Sequence, residues 1–213
     1  MKSTSNASAR SKQRSRRSSA ETREHILDVA DQLFYTNGVR ATGIDAVASP
    51  AEVAPTTLYR LFASKDDLVA AYVERCSQRY KAVLAKATAS AAPTPREQIL
   101  AIMDAFAADV LSGACRGCPF LMVLAEYPDA NSPAHVKAVA HKAWVCDLLH
   151  ELVSQLAQTT TLVDPESLAD GLALLAEGMY GSVQALGPSG PAALGRTCAE
   201  VLIDAAQSHQ AAL

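Results

Sequence analysis

Residues 42–65 read TGIDAVASPAEVAPTTLYRLFASK, and the apolar positions among them, Val47, Ala48, Ala51, Val53 and Leu58, are small enough for two short helices to cross closely at a steep angle. Pro55 suits a first helical turn, where its missing N–H would have no partner and its fixed φ is already helical. The second helix is therefore expected to start near Ala54. In its first turns Thr56, Thr57, Tyr59 and Arg60 present two hydroxyls, a phenol and a guanidinium together, the groups that reach base edges and phosphates. The stretch predicts a helix-turn-helix.

On the N-terminal side, Ile26, Val29, Ala30, Leu33 and Phe34 follow the period of a helix with one buried face, starting at Glu21 and stopping at Asn37-Gly38. Thr42 then stands where it can cap the next helix or hydrogen-bond a phosphate. On the C-terminal side, Ser64-Lys65-Asp66-Asp67 reads as an N-cap with an acid three residues on. Leu68, Tyr72, Cys76 and Tyr80 carry that helix to about Ala87, making it a rod between a head and the remainder of the chain. Lys65 lies in its first turn, where a cation opposes the helix dipole and phosphate contact is the expected use.

Val47-Ala48, Ala51, Val53, Thr57-Leu58-Tyr59, Phe62 and Ser64-Lys65 resemble, in identity and spacing, the DNA-binding domain of the TetR/AcrR family of transcriptional regulators. The similarity spans residues 21–72. It implies an all-α protein with an N-terminal three-helix helix-turn-helix domain at 21–66 and a C-terminal helical bundle at 67–213 for ligand binding and dimerisation. It also implies operator contacts at Thr42, Pro55, Thr56, Thr57, Tyr59, Arg60 and Lys65, with Thr56, Thr57 and Arg60 reading the major groove and Tyr59, Lys65 and Thr42 on phosphates. Three residues depart from the family pattern. Glu52 stands where the turn usually has Gly, Pro50 falls inside the expected second helix, and Ala54 replaces the usual Ser or Thr cap. Glu52 then needs a positive φ or a different turn, and the second helix should be short or distorted.

Charge is segregated. The net charge is −3, yet residues 1–20 hold Lys2, Arg10, Lys12, Arg14, Arg16 and Arg17 with no acid, while the other 193 residues carry 13 basic against 22 acidic side chains, a net of −9. A basic, Ser-rich, disordered arm on an acidic body suits DNA binding by one end. At 213 residues and 49% apolar the chain can bury a sizeable core. No apolar run approaches a membrane span and the N-terminus lacks a signal-peptide core, so a cytoplasmic protein with no membrane partner is expected. Cys76, Cys115, Cys118, Cys146 and Cys198 are an odd, scattered set, expected to be reduced.

Beyond a boundary at residues 89–95 only helical signals follow: 96–111, 119–127, 133–158, 165–186 and 191–208, with Pro near each later start and short breaks between. The last two are too apolar for a monomer surface. Leu168, Leu172, Leu175, Gly178, Met179, Gly181 and Val183, with Leu194, Cys198, Val201, Leu202 and Ala205, form wide stripes interspersed with small residues. The family resemblance makes these the homodimer face, as a head that reads a palindrome requires.

An effector pocket follows from the architecture, with Phe106, Val110, Phe120, Met122, Val123, Trp144, Leu148, Met179 and Tyr180 as candidate lining for a small apolar or amphipathic molecule. Glu126, His141 and Glu177 are polar insertions among apolar neighbours. Cys115-Arg116-Gly117-Cys118-Pro119-Phe120 is the most distinctive motif of the body. Its single CxxC supplies two soft ligands where zinc wants four, even with Cys146, His150 and His141 at hand, so no metal is expected. Cys118 precedes Pro119 at a helix start, where the dipole favours thiolate, so a redox-sensing regulator using Cys115 and Cys118 is an alternative to tight packing of the turn. A helical interaction protein with a degenerate head is another. No phosphate loop, nucleophile elbow or carboxylate pair points to catalysis, and no cofactor is expected.

Overall fold

The computed structural model describes residues 17–207, and among them nine α-helices and no strand are found. α1 (Ser19–Asn37), α2 (Ile44–Ala48) and α3 (Pro55–Leu61) form the head. α4 (Lys65–Ser90), α5 (Pro95–Val110), α6 (Pro119–Glu126), α7 (Pro133–Ala157), α8 (Pro165–Leu186) and α9 (Gly195–Ala206) form the rod and body. The basic arm expected at the N-terminus lies, except for its last four residues, outside the described residues. α1 starts two residues before the expected Glu21 because Ser18 and Glu21 form a reciprocal capping box, satisfying two orphan N–H groups at once. The last expected helix is also divided, opening as a 3-10 turn at Pro191–Leu194 before α9 begins.

The head is built around Ile26, Phe34, Val47, Ala51 and Leu58, each at most 1% exposed. Both irregular residues of the turn are accommodated. α2 ends at Ala48, so Pro50 falls after the helix rather than within it. Glu52 takes the left-handed backbone, at φ 54°, and the Val53 N–H returns to the Ala48 carbonyl at 3.1 Å. A residue with a Cβ is strained there, so Glu52→Gly is expected to stabilise the protein by about 1 kcal/mol, read as a rise of roughly 2–4 °C in thermal midpoint.

α4, at 26 residues about 39 Å long, is the rod. α1 is fastened along it: Arg79 grips the Asp31 carboxylate with both terminal nitrogens, at 2.6 and 2.9 Å, Arg75 pairs with Asp28, and the rings of Phe34 and Tyr72 meet edge-on at 5.5 Å. In the body α4 packs on α5 and α7, α7 on α8, and α8 on α9. Leu84, Ile99, Leu100, Ile102, Met103, Leu149 and Leu172 fill that core. No described helix is long and apolar enough to cross a membrane.

Candidate nucleic-acid interface and effector cavity

α3 has no side-chain cap at Ala54, and Pro55 occupies its first turn. Leu58 is its buried anchor, which turns Pro55, Thr56, Tyr59 and Arg60 outward to solvent and leaves Thr57 half-buried. Tyr59 is 51% exposed, more than a phenol needs for packing. On the adjoining α1–α2 turn, Thr42 is only 3% exposed and donates its hydroxyl to the Gly38 carbonyl at 2.8 Å. It does not cap α2, whose N-cap is Gly43 with no side-chain bond. Lys65 donates to the Arg40 carbonyl at 3.2 Å from the first turn of α4. Thr42 and Lys65 therefore brace the turn, and Arg40, exposed beside Lys65, adds a cation that the motif spacing did not single out.

That turn is also held from the body. Glu126, at the end of α6, accepts the backbone N–H of Val39 at 3.0 Å and that of Arg40. Gly38 makes this possible. Its φ is +89°, and a Cβ there would come within 3.0 Å of the Glu126 carboxylate. One residue on, the Tyr127 phenol donates to Asp66 at the start of α4, at 3.1 Å. The CRGC turn forms a second link. The Tyr35 phenol of α1 donates to the Gly117 carbonyl at 3.0 Å and accepts the Arg116 N–H at 2.7 Å, while the Arg116 guanidinium donates to the last carbonyls of α1, Tyr35 and Thr36. Those carbonyls would otherwise be orphans at a helix end.

Between α1, α4, α5, the CRGC turn and α8 lies a half-open cavity of about 620 Å³, within the size range of small-molecule sites. α1 contributes Asp31, Gln32, Tyr35 and Thr36, α4 contributes Tyr72, Cys76, Arg79, Tyr80, Val83 and Leu84, and Ala105, Phe106, Asp109, Ser112, Ala114, Cys115, Pro119 and Tyr180 close it. The head thus supplies part of the wall. A second, adjacent cleft between Phe120, His141, Lys142 and Glu177 is only about 20 Å³, room for about one water.

A match to the bacterial tetR regulatory-protein family covers residues 26–72, the head and the start of α4. The structure of a protein described as a tetR transcriptional regulator from Streptomyces avermitilis is 30% identical, with a TM-score of 0.73 over 88% of this chain and 99% of its own. The chain belongs to the TetR family. A TetR-family regulator from Streptomyces coelicolor is similar at 29% identity and TM-score 0.82, over 89% of this chain and 97% of its own. The fold is shared, at 16% identity and TM-score 0.75 over 90% of this chain and all of the other, with a transcriptional regulator from Saccharomonospora viridis solved in complex with choline. No curated protein matches the sequence. As a TetR-family member the chain is a DNA-binding transcriptional regulator and not an enzyme.

In this TetR-family body, the residues named from sequence as pocket lining separate into two groups. Phe106 and Tyr180 line the cavity, and Phe120 joins them at the small cleft. Val110, Val123 and Met179 are buried in the core, and Met122, Trp144 and Leu148, half-buried, line neither space. Sequence reasoning missed the α1 and α4 faces because Tyr72 and Tyr80 read as ordinary positions of the rod's apolar face and Tyr35 falls outside the apolar pattern of α1. Glu126, read as a polar insertion among apolar neighbours, is the clamp on the head.

Cys118 is 3% exposed, and burial pushes its thiol up, outweighing the helix-end position expected to favour thiolate. Among the described residues no cluster of His, Cys, Asp or Glu could hold a metal ion. His141 is buried, stacks on Phe120 at 3.7 Å, and shares a hydrogen bond with the Ser77 hydroxyl at 3.0 Å. Burial first, then the charges of Lys142 and Lys81, lower its pKa to about 4. An unfolded histidine titrates near 6.5, so between these values the unfolded chain binds the extra proton. Stability present above pH 6.5 is therefore lost as pH falls toward 4. His141→Asn, which keeps an atom for Ser77, is expected to flatten the fall in urea midpoint across that window by up to one proton's worth, about 1.4 kcal/mol per pH unit.

Proposed function

We propose that this regulator is a homodimeric repressor that binds a palindromic operator and leaves it when a small apolar or amphipathic molecule enters the cavity. The observation that carries this reading is the shared wall: residues of α1, in the head, and of α4, the rod, line the same 620 Å³ space as α5 and α8 of the body. A ligand there touches both parts directly. It weakens DNA binding only to the extent that it prefers a head orientation unsuited to the operator. The complex of the Saccharomonospora viridis relative with choline supports a small-molecule role for such a body. The regulator acts where the DNA is, in the cytoplasm.

In this reading Thr56, Thr57 and Arg60, with Pro55 setting the start of α3, enter the major groove. Tyr59 and Lys65 hold phosphates, and Thr42 shapes the turn beside them. Pairing supplies the second head. The exposed apolar faces of α8 and α9, with Leu174 at 73% and Val201 at 62% exposure, support the last two helices as the dimer face.

The DNA from the region upstream of the gene is the first target to test. Tyr59→Ala combined with Lys65→Ala is expected to weaken its binding roughly tenfold or more per dimer and to lower the salt slope by about two, one phosphate per subunit, in fluorescence anisotropy across a salt series. Unchanged affinity and slope would place the DNA contacts elsewhere.

A further inference from the structure

Resting on the cavity as effector site, the polar groups of its wall point to the class of molecule it takes. At the junction of α4, α5 and α8 the Asp109 carboxylate accepts two phenol protons on one oxygen, from Tyr80 at 2.7 Å and Tyr180 at 2.8 Å. Both phenols have thus spent their only protons, and what they and Asp109 still offer a guest is lone pairs. Burial pushes both phenols far above their usual range, so they stay protonated and keep donating inward. Tyr35 is committed in the same way, its proton on the Gly117 carbonyl.

The remaining wall here is ring faces. Tyr180 stands 6.5 Å from Tyr80 and 6.0 Å from Phe106, centroid to centroid. Aromatic faces and carboxylates both favour a cation. Among the described residues Arg79 is the one cationic side chain on this wall, and its terminal nitrogens are occupied by Asp31 at 2.6 and 2.9 Å. With that pair balanced, Asp109 leaves the wall with a net formal charge of −1.

We propose that the effector is a protonated amine carried on an apolar or aromatic body, its ammonium hydrogen-bonded to Asp109 beside the Tyr80 and Tyr180 rings. A neutral alcohol of the same shape gains the apolar burial and one hydrogen bond to a lone pair but no ion pair, and an anion placed there is repelled by the Asp109 carboxylate.

The test is calorimetric titration of the full-length chain, without DNA, with three probes of one shape: phenylhexylamine, phenylhexanol and phenylhexanoate. The amine is expected to bind about tenfold tighter than the alcohol, and the acid weakest. Asp109→Asn should abolish the preference for the amine over the alcohol, the ratio of the two affinities falling from about ten to about one. Tyr180→Phe keeps the carboxylate and should retain the preference, which keeps the inference testable if Asp109→Asn does not fold. Equal binding of amine and alcohol, or tightest binding of the acid, overturns the amine assignment while leaving the cavity a ligand site. Failure of all three probes to bind overturns both.

Discussion

Gly181→Leu is expected to yield a folded chain that sediments as a monomer and binds operator DNA at least 100-fold more weakly than the parent. On α8 the exposed positions Leu174, Gly178, Gly181 and Ala185 recur at intervals of four, three and four, and Leu194, the N-cap of α9, with Cys198, Val201 and Ala205 on that helix repeats the same spacing. Each set is a single stripe along one helix face. A Cβ added at Gly178 or Gly181 meets nothing within 4 Å in the chain itself. Glycine inside a helix costs about 1 kcal/mol relative to alanine, so on an isolated chain these two are a burden with no local benefit. In the proposed dimer a partner helix lies close against both. Leucine there should be harmless to the subunit and prohibitive to the pair. The second head is then lost from the DNA complex, and with it an avidity gain on the order of 10²–10⁴. Sedimentation equilibrium and anisotropy on one preparation measure the two effects together. A dimer of unchanged strength would put the interface on another face.

Glu126→Ala is expected to lower the thermal midpoint by roughly 6–12 °C, about 3 kcal/mol, through the junction of head and body. The carboxylate accepts two backbone N–H groups, one of them from Val39, a residue only 2% exposed. Hydrogen bonds to a charged group contribute about 1.5–3 kcal/mol each, and a donor left without a partner costs more than the bond is worth. Alanine also empties the space that Gly38 leaves for the carboxylate. Glu126→Gln, which retains one acceptor oxygen, should fall between the two. Since Thr42, Arg40 and Lys65 all hang on the same turn, DNA affinity should decline in the same order. Scanning calorimetry of the three proteins gives the result, and equal midpoints would show that the head is held by the α1–α4 contacts and the CRGC turn without Glu126.

Much of this was legible in the sequence. Phe34, Leu58 and Leu68 sit at strict helical spacing, and Pro55, Pro119, Pro133 and Pro165 mark helix starts, so the elements could be placed to within a few residues. At Glu52 the sequence left two readings open, a positive φ or a different turn, and the structure takes the first. The cavity wall was much less so. Periodicity tells that Tyr72 and Tyr80 face inward, but not whether they meet another side chain or a void, since that depends on how α1, α4 and α5 splay. Glu126 was hidden for a related reason: its partners are backbone N–H groups 86 and 87 residues away, and amides carry no sequence signature. The division of the last two helices between core and exposed face likewise needed their packing. Leu172 and Met179 face the core, whereas Gly178 and Gly181, one and two residues from Met179, face outward.

The most direct measurement is selection of duplex DNA from a random pool by the full-length chain, followed by the mass of the selected complex in sedimentation or native mass spectrometry. A palindromic consensus with an even number of chains per duplex, at least two and one for each half-site, is expected. No enriched sequence, or a complex with a single chain on the duplex, would contradict paired recognition helices.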